Sequence, residues 1–197
     1  MGRWEPNGRG RLAEAALALF AEQGFERTTA AEIAVRAGLT ERTFYRHFAD
    51  KREVLFHGTE LMRELLVRAV AEAPADAAPM EAVGAALEAV GAVLQENPER
   101  VRRRDAVVSA SPELRERELV KLDAMAAATA EALRGRGVPA PTAGLAAETG
   151  MAVFKVAVAR WIAEPADPVG PDGSDLPALI RASVQDLRQV LAAGAPA

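Results

Sequence analysis

Residues Thr28–Phe48 read TTAAEIAVRAGLTERTFYRHF, and the order of residue types in this stretch decides the fold. Thr29 followed three residues later by Glu32 is a capping box, which predicts that a helix begins directly after the threonine. Gly38 predicts the end of that helix, because glycine adopts a left-handed conformation at little steric cost. Thr40 can then cap another helix. The stretch therefore predicts two short helices joined by a tight glycine turn, a helix-turn-helix.

The apolar residues of this stretch fall where the two helices would meet. Ala34 sits at the predicted crossing, where a larger side chain would force the helices apart. The other predicted core positions are Ile33, Ala37, Leu39, Phe44 and Phe48. The residues left on the outside of the second helix, its outward face, are Thr40, Arg42, Thr43, Tyr45, Arg46 and His47. This face consists of hydrogen-bond donors and one flat ring.

Such a face suits the major groove of B-DNA, where a helix presents side chains to base edges while hydroxyls and cations contact phosphates. We expect Arg42 to read a base, because arginine is the commonest bidentate partner of guanine. Lys51 is predicted in the first turn of the next helix, and Thr28 and Thr29 at the start of the preceding one. Free N–H groups and the helix dipole favour a phosphate at such positions.

The alternative for this stretch is an ordinary solvated helix, which is the usual role of a run of charges. A helix-turn-helix pattern alone also gives many false positives. Here the capping box, the alanine, the glycine and the apolar spacing all agree. Their agreement favours the DNA-binding interpretation.

Composition and charge set the broad class. The chain has 197 residues, half of them apolar, which suffices for a small domain fused to a larger one. The absence of cysteine excludes disulfides and thiolate sites. We find no signal peptide and no apolar run near the ~18 residues that span a bilayer, so we expect a cytoplasmic protein without a membrane segment. The net charge is −4, yet residues 1–57 carry +1 and the remainder −5, as expected for a DNA-contacting head on an acidic body.

Proline and glycine divide the chain into nine predicted helices and no strand. Gly24 is expected to end the first helix, and Asp50 to cap the fourth together with Glu53. The segment Pro74–Pro79 separates the head from the body. The predicted helices are Gly8–Gln23, 30–37, Glu41–Phe48, 51–73, Met80–Gln95, Pro98–Ser109, Pro112–Arg134, Thr142–Ala163 and Leu176–Ala193.

Residues from about Arg9 to Leu55 resemble the N-terminal domain of the TetR/AcrR family of transcriptional regulators. The resemblance rests on ALALFAEQGFERTT, AEIAVRAGLTERTFYRHF and DKREVL, and TFYRHF-x-x-K is its most specific part. It implies an all-α homodimeric repressor that binds an inverted-repeat operator. The implied domains are a three-helix DNA-binding domain over 1–52 and a helical ligand-binding and dimerisation domain over 53–197. The DNA contacts implied by similarity are Thr28, Thr40, Thr43, Tyr45, His47 and Lys51.

The body allows two interpretations. Apolar residues at helical spacing are most often plain core. Some can instead line a cavity, because the many alanines leave room between helices and bundles often bind ligands there. The resemblance favours a cavity for a small apolar effector, and RRRDAVVSASPELRERE distantly resembles regulators near mycofactocin operons, which points to acyl-CoA-like ligands. The candidate ligand-binding residues are Leu87, Val90, Leu94, Arg103, Val107, Met125, Phe154 and Val158.

Four arginines lie close together on one predicted helix: Arg100, Arg102, Arg103 and Arg104. A solvated face paired with Glu99, Asp105 and Glu113 is one interpretation, and a site for an anionic ligand is the other.

If the family arrangement holds, the last two helices form a four-helix interface between two copies of the chain. Ala152 and Ala159 would permit close approach there. The candidate packing residues are Ile162, Leu179 and Leu187.

An enzyme has no positive support in the sequence. Glu53 and His57 are i, i+4 neighbours that could share a metal, but they have no third ligand. We find no nucleophile motif or phosphate loop. We therefore expect no catalytic residue, no metal and no cofactor. A DNA-binding regulator with a filled body and no effector remains the alternative.

Overall fold

The computed structural model describes residues 8–163 and 175–193, which form nine α-helices and one 3₁₀ helix, Glu53–Phe56, with no strand in these ranges. The α-helices are α1 (Gly8–Gln23), α2 (Ala30–Arg36), α3 (Glu41–His47), α4 (Thr59–Glu72), α5 (Pro79–Leu94), α6 (Pro98–Ser109), α7 (Pro112–Gly135), α8 (Ala140–Ala163) and α9 (Leu176–Ala193). The all-α prediction is confirmed. Its boundaries agree to within two residues except at the fourth helix.

The fourth helix begins later than predicted. Asp50 does act as a cap, since its Oδ1 accepts hydrogen bonds from the backbone N–H groups of Arg52 (2.8 Å) and Glu53 (3.1 Å). The capped turn leads into the 3₁₀ helix, and α4 starts only at Thr59. The three consecutive residues Val54, Leu55 and Phe56 of this 3₁₀ turn are all buried in the core of the first unit.

The described helices divide into two compact units. The first unit contains the described residues up to Thr59 together with Arg102–Leu119, and the second contains Glu60–Val101 and the described residues from Val120 onward. Helices α6 and α7 therefore contribute to both units. The functional boundary after residue 52 remains a prediction. By contacts, residues 53–59 and 102–119 belong with the N-terminal helices.

The core of the first unit is built from α1, the helix-turn-helix and the 3₁₀ helix. Gly24 (φ 87°) ends α1 and Gly38 (φ 67°) forms the turn between α2 and α3, as the sequence predicts. The largest buried side chains of this core include Leu12, Phe20, Ile33, Phe44, Val54 and Leu114. The segment Arg102–Leu119 shares this core, so the first unit is larger than the predicted three-helix domain.

The second unit contains α5 packed closely against α8 and α9. Glycine permits the approach: a Cβ atom on Gly150 of α8 would overlap Val83 of α5, and one on Gly91 of α5 would lie 2.7 Å from Ile180 Cδ1 of α9. The buried residues of this core include Leu66, Leu87, Val90, Met125, Phe154 and Trp161.

Helix α8 corrects one expectation from the sequence. Among the described helices, it alone is long and apolar enough to cross a membrane by length and composition. A count of uninterrupted apolar residues misses it, because the helix is broken by isolated charges such as Lys155. In the structure 44% of its most apolar window is buried. Packing inside the second unit therefore accounts for much of its apolar character.

Candidate nucleic-acid interface

Helix α3 has one side in the core and the other in solvent. Phe44 is fully buried and Phe48 nearly so, with their ring centroids 5.7 Å apart. Thr40 caps the helix as predicted, since its Oγ1 accepts a hydrogen bond from the Thr43 N–H at 3.2 Å. The structure brings the predicted outward face together: Thr40, Arg42, Tyr45 and Arg46 are exposed, and Thr43 and His47 are half-buried.

The turn between α2 and α3 is fixed by α1 as well as by glycine. The Arg11 guanidinium donates a hydrogen bond to the Ala37 carbonyl. A Cβ atom on Gly38 would lie 2.8 Å from Arg11 Nη2, in a backbone conformation that other residues rarely adopt. A side chain at this position would thus be strained and would displace the guanidinium. The start of α3 is thereby tied to α1.

Two cations on the outward face have no protein partner among residues 8–163 and 175–193. In the part of the chain that the structure describes, neither Arg42 nor Arg46 has an ion pair or a hydrogen bond through its guanidinium. Between them lies Tyr45, 55% exposed, whose ring meets the buried Phe44 ring edge-on at 5.3 Å. The tyrosine ring is therefore oriented while its hydroxyl remains in solvent. This combination can bind an anion without breaking existing contacts.

The two threonines before α2 differ from the prediction. Thr28 is only 1% exposed, and its hydroxyl donates to the Gly24 carbonyl (2.8 Å) and accepts from Gln23 Nε2 (3.2 Å). A hydroxyl so placed cannot reach a phosphate, so the side chain has a structural role. Thr29 is exposed, but its hydroxyl donates to Glu32 at 2.8 Å.

The capping box also places a negative charge at the start of α2. Glu32 Oε2 accepts from the Thr29 N–H at 2.8 Å, and the Glu32 N–H donates back to the Thr29 hydroxyl at 3.2 Å. These hydrogen bonds lower the pKa of the Glu32 carboxyl. The carboxylate occupies the position at which a phosphate was predicted, and it would repel one. The predicted phosphate contact of Thr29 is therefore disfavoured.

Lys51 is surrounded by backbone carbonyls. Its Nζ lies 2.8 Å from the Phe25 oxygen and 3.1 Å from the oxygens of Glu26 and Thr28. It also lies 4.3 Å from the centre of the Phe25 ring. All three donors of the ammonium group thus have acceptors within the protein. This differs from the predicted position in the first turn of a helix facing a phosphate.

Positive charge gathers at the end of α3. Burial lowers the pKa of His47, and the charges of Arg46 and Arg9 lower it further. Arg9 is exposed, and its guanidinium carbon lies 5.4 Å from the centre of the Phe48 ring. Arg9 is not among the contacts predicted from the sequence, although the basic run Gly8–Arg11 was an available signal.

The segment Arg102–Leu119 is held to the first unit by charged contacts as well as by its core residues. Arg104 Nε donates to the Leu55 carbonyl at 2.9 Å, and its Nη1 lies 2.7 Å from Glu118. Two further ion pairs join Arg52 to Glu113 at 2.6 Å, and Arg117 to Glu53. Arg104 and Glu113 thus have partners other than those expected from a solvated face.

The structure separates the predicted ligand-binding residues. Val107 belongs to the buried core of the first unit, and Arg103 is exposed with Nη2 3.7 Å from Glu14. These two residues therefore lie in a different unit from the other six, because α6 passes from one unit to the other between Val101 and Arg102. The other six lie together in the core of the second unit: Leu87, Val90, Leu94, Met125, Phe154 and Val158.

The predicted dimer residues lie on α8 and α9 and differ in exposure. Ala152 and Ala159 are exposed, whereas Ile162, Leu179 and Leu187 are half-buried. Two large apolar residues that the prediction missed lie on the same face of α8 as the alanines: Leu145, 71% exposed, and Val156, 54% exposed. With them the face carries an apolar stripe at helical spacing, Leu145, Ala152, Val156 and Ala159.

The residues considered for a metal have structural partners. Glu53 pairs with Arg117, and His57 Nδ1 lies 2.9 Å from the Val54 carbonyl. Across residues 8–163 and 175–193, no three His, Cys, Asp or Glu side chains gather closely enough to hold an ion.

The sequence is similar to known regulators over its N-terminal part. Residues 12–57 match the profile of a family described as bacterial regulatory proteins, tetR family. The HTH-type transcriptional regulator TcmR of Streptomyces glaucescens is 39% identical over 78 residues, 40% of this chain and 34% of TcmR. The HTH-type transcriptional repressor KstR2 of Mycobacterium tuberculosis is 45% identical over 58 residues, 29% of this chain and 28% of KstR2. The chain thus spans about a third of the length of these relatives.

The fold is similar to solved structures over nearly its whole length. Thermus thermophilus FadR, a TetR-family transcriptional repressor solved in complex with lauroyl-CoA, superposes with a TM-score of 0.55 at 23% identity. The superposition covers 96% of each chain. The likeness extends well beyond residues 12–57, which the family profile matches.

We predict that DNA affinity rises as the pH falls through the range in which His47 takes up a proton. In the free protein, burial and the charges of Arg46 and Arg9 lower the pKa of His47. A nearby DNA phosphate would raise that pKa, so the complex binds a proton that the free protein does not. The gain begins as the pH falls below the pKa of the complex and is complete below that of the free protein. Each unit of difference contributes about tenfold.

The matched variants are His47→Gln and His57→Gln, since the chain has two histidines. DNA affinity is measured by fluorescence anisotropy over a pH series. The rise in affinity at low pH should disappear in His47→Gln and remain in His57→Gln. Equal pH profiles for His47→Gln and the unmodified protein would remove His47 from the interface.

Proposed function

We propose that this chain is a cytoplasmic repressor of the TetR family of transcriptional regulators, which binds an inverted-repeat operator as a homodimer. A small apolar or amphipathic effector bound in the second unit would release it from DNA. The observation that carries the proposal is the outward face of α3, where Arg42 and Arg46 lack protein partners beside an oriented Tyr45. Family membership supports a regulator rather than an enzyme.

The dimensions of α3 fit the major groove. Seven helical residues extend about 10 Å, and the groove is about 12 Å wide. Arg42 lies in the first turn, the part of a recognition helix that approaches base edges. The other contacts proposed for this face are Thr40, Thr43, Tyr45, Arg46 and His47, with Arg9 added beside them.

We predict that Arg42→Ala reduces the discrimination between operator and unrelated DNA by about tenfold or more, since a bidentate base contact contributes about 1–3 kcal/mol. Arg46→Ala should weaken binding to both duplexes alike. It should also lower the slope of log affinity against log salt concentration by about 0.9 per lost phosphate contact. The operator would be selected from random duplexes with the full chain, and affinities measured by gel shift over a salt series.

Arg63→Ala is the control, because Arg63 pairs with Glu60 in α4 of the second unit and its loss changes the net charge equally. If Arg42→Ala and Arg63→Ala behaved alike, Arg42 would not read a base. If the unmodified chain bound no DNA duplex in dilute buffer, the proposed function would be ruled out.

A second copy of the chain is proposed to cover the apolar stripe on α8. Reading an inverted repeat requires two α3 helices related by a two-fold axis, and a two-fold interface uses the same surface on each copy. The small side chains of Ala152 and Ala159 would let two helices approach closely. Val190 on α9 is also 70% exposed and adds apolar surface within the same unit.

We predict that Val156→Arg converts the dimer to monomers at micromolar concentration, because burying an unpaired charge in an apolar interface costs several kcal/mol. Sedimentation velocity gives the measurement. Leu61→Arg is the control, since Leu61 on α4 is 63% exposed and lies outside the stripe. A dimer that survives Val156→Arg intact would place the interface elsewhere.

The effector site is proposed within the core of the second unit. Six of the predicted ligand-binding residues come together there, and alanines on α8 keep the side chains between helices small. The structural relative that binds lauroyl-CoA shares this fold, which supports a ligand of amphipathic character. An effector acts only if it binds the non-DNA-binding state more tightly.

We predict that lauroyl-CoA raises the thermal midpoint and weakens operator binding, whereas coenzyme A alone does neither. Saturation a hundredfold above the dissociation constant would add about 2.7 kcal/mol of stability. Met125→Trp should reduce the response by filling the proposed site. If neither lauroyl-CoA nor free lauric acid changed either quantity, a filled body without an effector would be the better description.

A further inference from the structure

The ammonium group of Lys51 lies in a site made by the protein itself. Its three hydrogen-bond acceptors are the backbone carbonyls of Phe25, Glu26 and Thr28, at 2.8, 3.1 and 3.1 Å. The Phe25 ring, 4.3 Å away, adds a cation–π contact. An ammonium has three N–H donors and no acceptor. Binding a DNA phosphate would require it to give up at least one of these carbonyls.

We propose that Lys51 is a positioning residue, which fixes α3 for DNA binding by tying the exit of α3 to the entry of α2. The proposal rests on the proposed DNA-binding function. It assigns Lys51 no phosphate, in contrast to the expectation from the sequence.

The carbonyls that Lys51 collects belong to the connection between α1 and α2. This connection follows Gly24 and ends at Thr29, the N-cap of α2. Carbonyls beyond the end of a helix have no helical partner, and the negative end of the α1 dipole favours a cation there. One ammonium group therefore satisfies several acceptors at once and holds the connection in place.

Lys51 also follows α3 closely along the chain. Phe48 is the C-cap of α3, and Asp50 fixes the next turn by accepting hydrogen bonds from two backbone N–H groups. The Lys51 contacts thus join the chain immediately after α3 to the chain immediately before α2. The helix-turn-helix is held at both ends, independently of the turn at Gly38. Releasing one end would let α3 shift while the remainder of the core stays folded.

The absence of cysteine in all 197 residues makes a chemical test possible in the full chain. Lys51→Cys introduces the sole thiol. Alkylation with 2-bromoethylamine restores a primary ammonium at nearly the length of lysine. A trimethylammonium-ethyl thiosulfonate restores the charge but no N–H donor. Arg63→Cys, treated in the same way, is the control for loss of a charge and for the reagents.

Two measurements are made on each form well below its thermal midpoint. Hydrogen exchange of the backbone amides of residues 25–30 in the free protein reports whether the connection is held. The slope of log affinity against log salt on the selected operator reports phosphate contacts, at about 0.9 per phosphate.

We expect Lys51→Cys to exchange these amides at least about tenfold faster and to bind DNA at least about tenfold more weakly at every salt concentration, with an unchanged slope. The aminoethyl form should recover both the protection and the affinity. The trimethylammonium form should recover neither, because the carbonyls need N–H donors. A role in overall stability alone would not change affinity in fully folded protein.

Three results would overturn the proposal. One is recovery of affinity by the trimethylammonium form as complete as by the aminoethyl form. The others are a slope that falls in Lys51→Cys, and exchange over residues 25–30 that does not change. If Lys51→Cys does not fold, Lys51→Arg decides: it keeps the charge but offers a planar fork to three carbonyls. Faster exchange and weaker binding in that variant support positioning, and wild-type values exclude it.

The proposal and the proposed function fail separately. If the unmodified chain bound no duplex, the DNA-binding function would be lost, while the exchange measurements would still decide whether Lys51 holds the connection.

Discussion

The buried ring of Phe44 determines which side of α3 faces solvent, and the DNA contacts proposed on α3 follow from that. Successive helical side chains point about 100° apart, so fixing Phe44 in the core leaves Arg42, Tyr45 and Arg46 outside. Burying a phenylalanine contributes about 1.5–3 kcal/mol, which exceeds any single exposed contact on the helix. The proposed DNA-binding face is thus a consequence of core packing, refined by the Thr40 cap and the Gly38 turn.

The basic residues of the first unit perform two different tasks. Arg11 and Lys51 donate to backbone carbonyls and thereby hold the helix-turn-helix to α1 and its exit. Arg42 and Arg46 have solvent instead of protein partners in the described structure, which leaves them available for an external anion. What separates the tasks is whether unpaired carbonyls lie within reach of the side chain. A small net charge of this region is therefore compatible with DNA binding, because few cations need be free.

Features set by neighbouring residues were predictable from the sequence, and features set by distant ones were not. The Thr29–Glu32 box, the Thr40 cap and the glycine turn are encoded within a few residues, and the structure has all three. The partners of Lys51 lie more than twenty residues away along the chain, so periodicity could not reveal them. The same holds for Val107, whose helical spacing identifies a core residue without saying which core. The exposed Leu145 shows a further limit of prediction from the sequence. Helical spacing identifies it as apolar surface, but does not tell whether that surface packs within this chain or against a second copy.

Charge distribution adds a constraint on how such a protein approaches DNA. Residues beyond 57 carry a net charge of −5, so on average this part of the chain is repelled by the phosphate backbone. The exposed cations Arg9, Arg42 and Arg46 provide attraction near α3. Repulsion elsewhere disfavours nonspecific encounters in wrong orientations, a form of selectivity that base contacts alone do not provide. Dissolved salt weakens both the attraction near α3 and the repulsion of the acidic part of the chain. The small positive net charge of residues 1–57 therefore contributes to affinity mainly when the outward face lies against the groove.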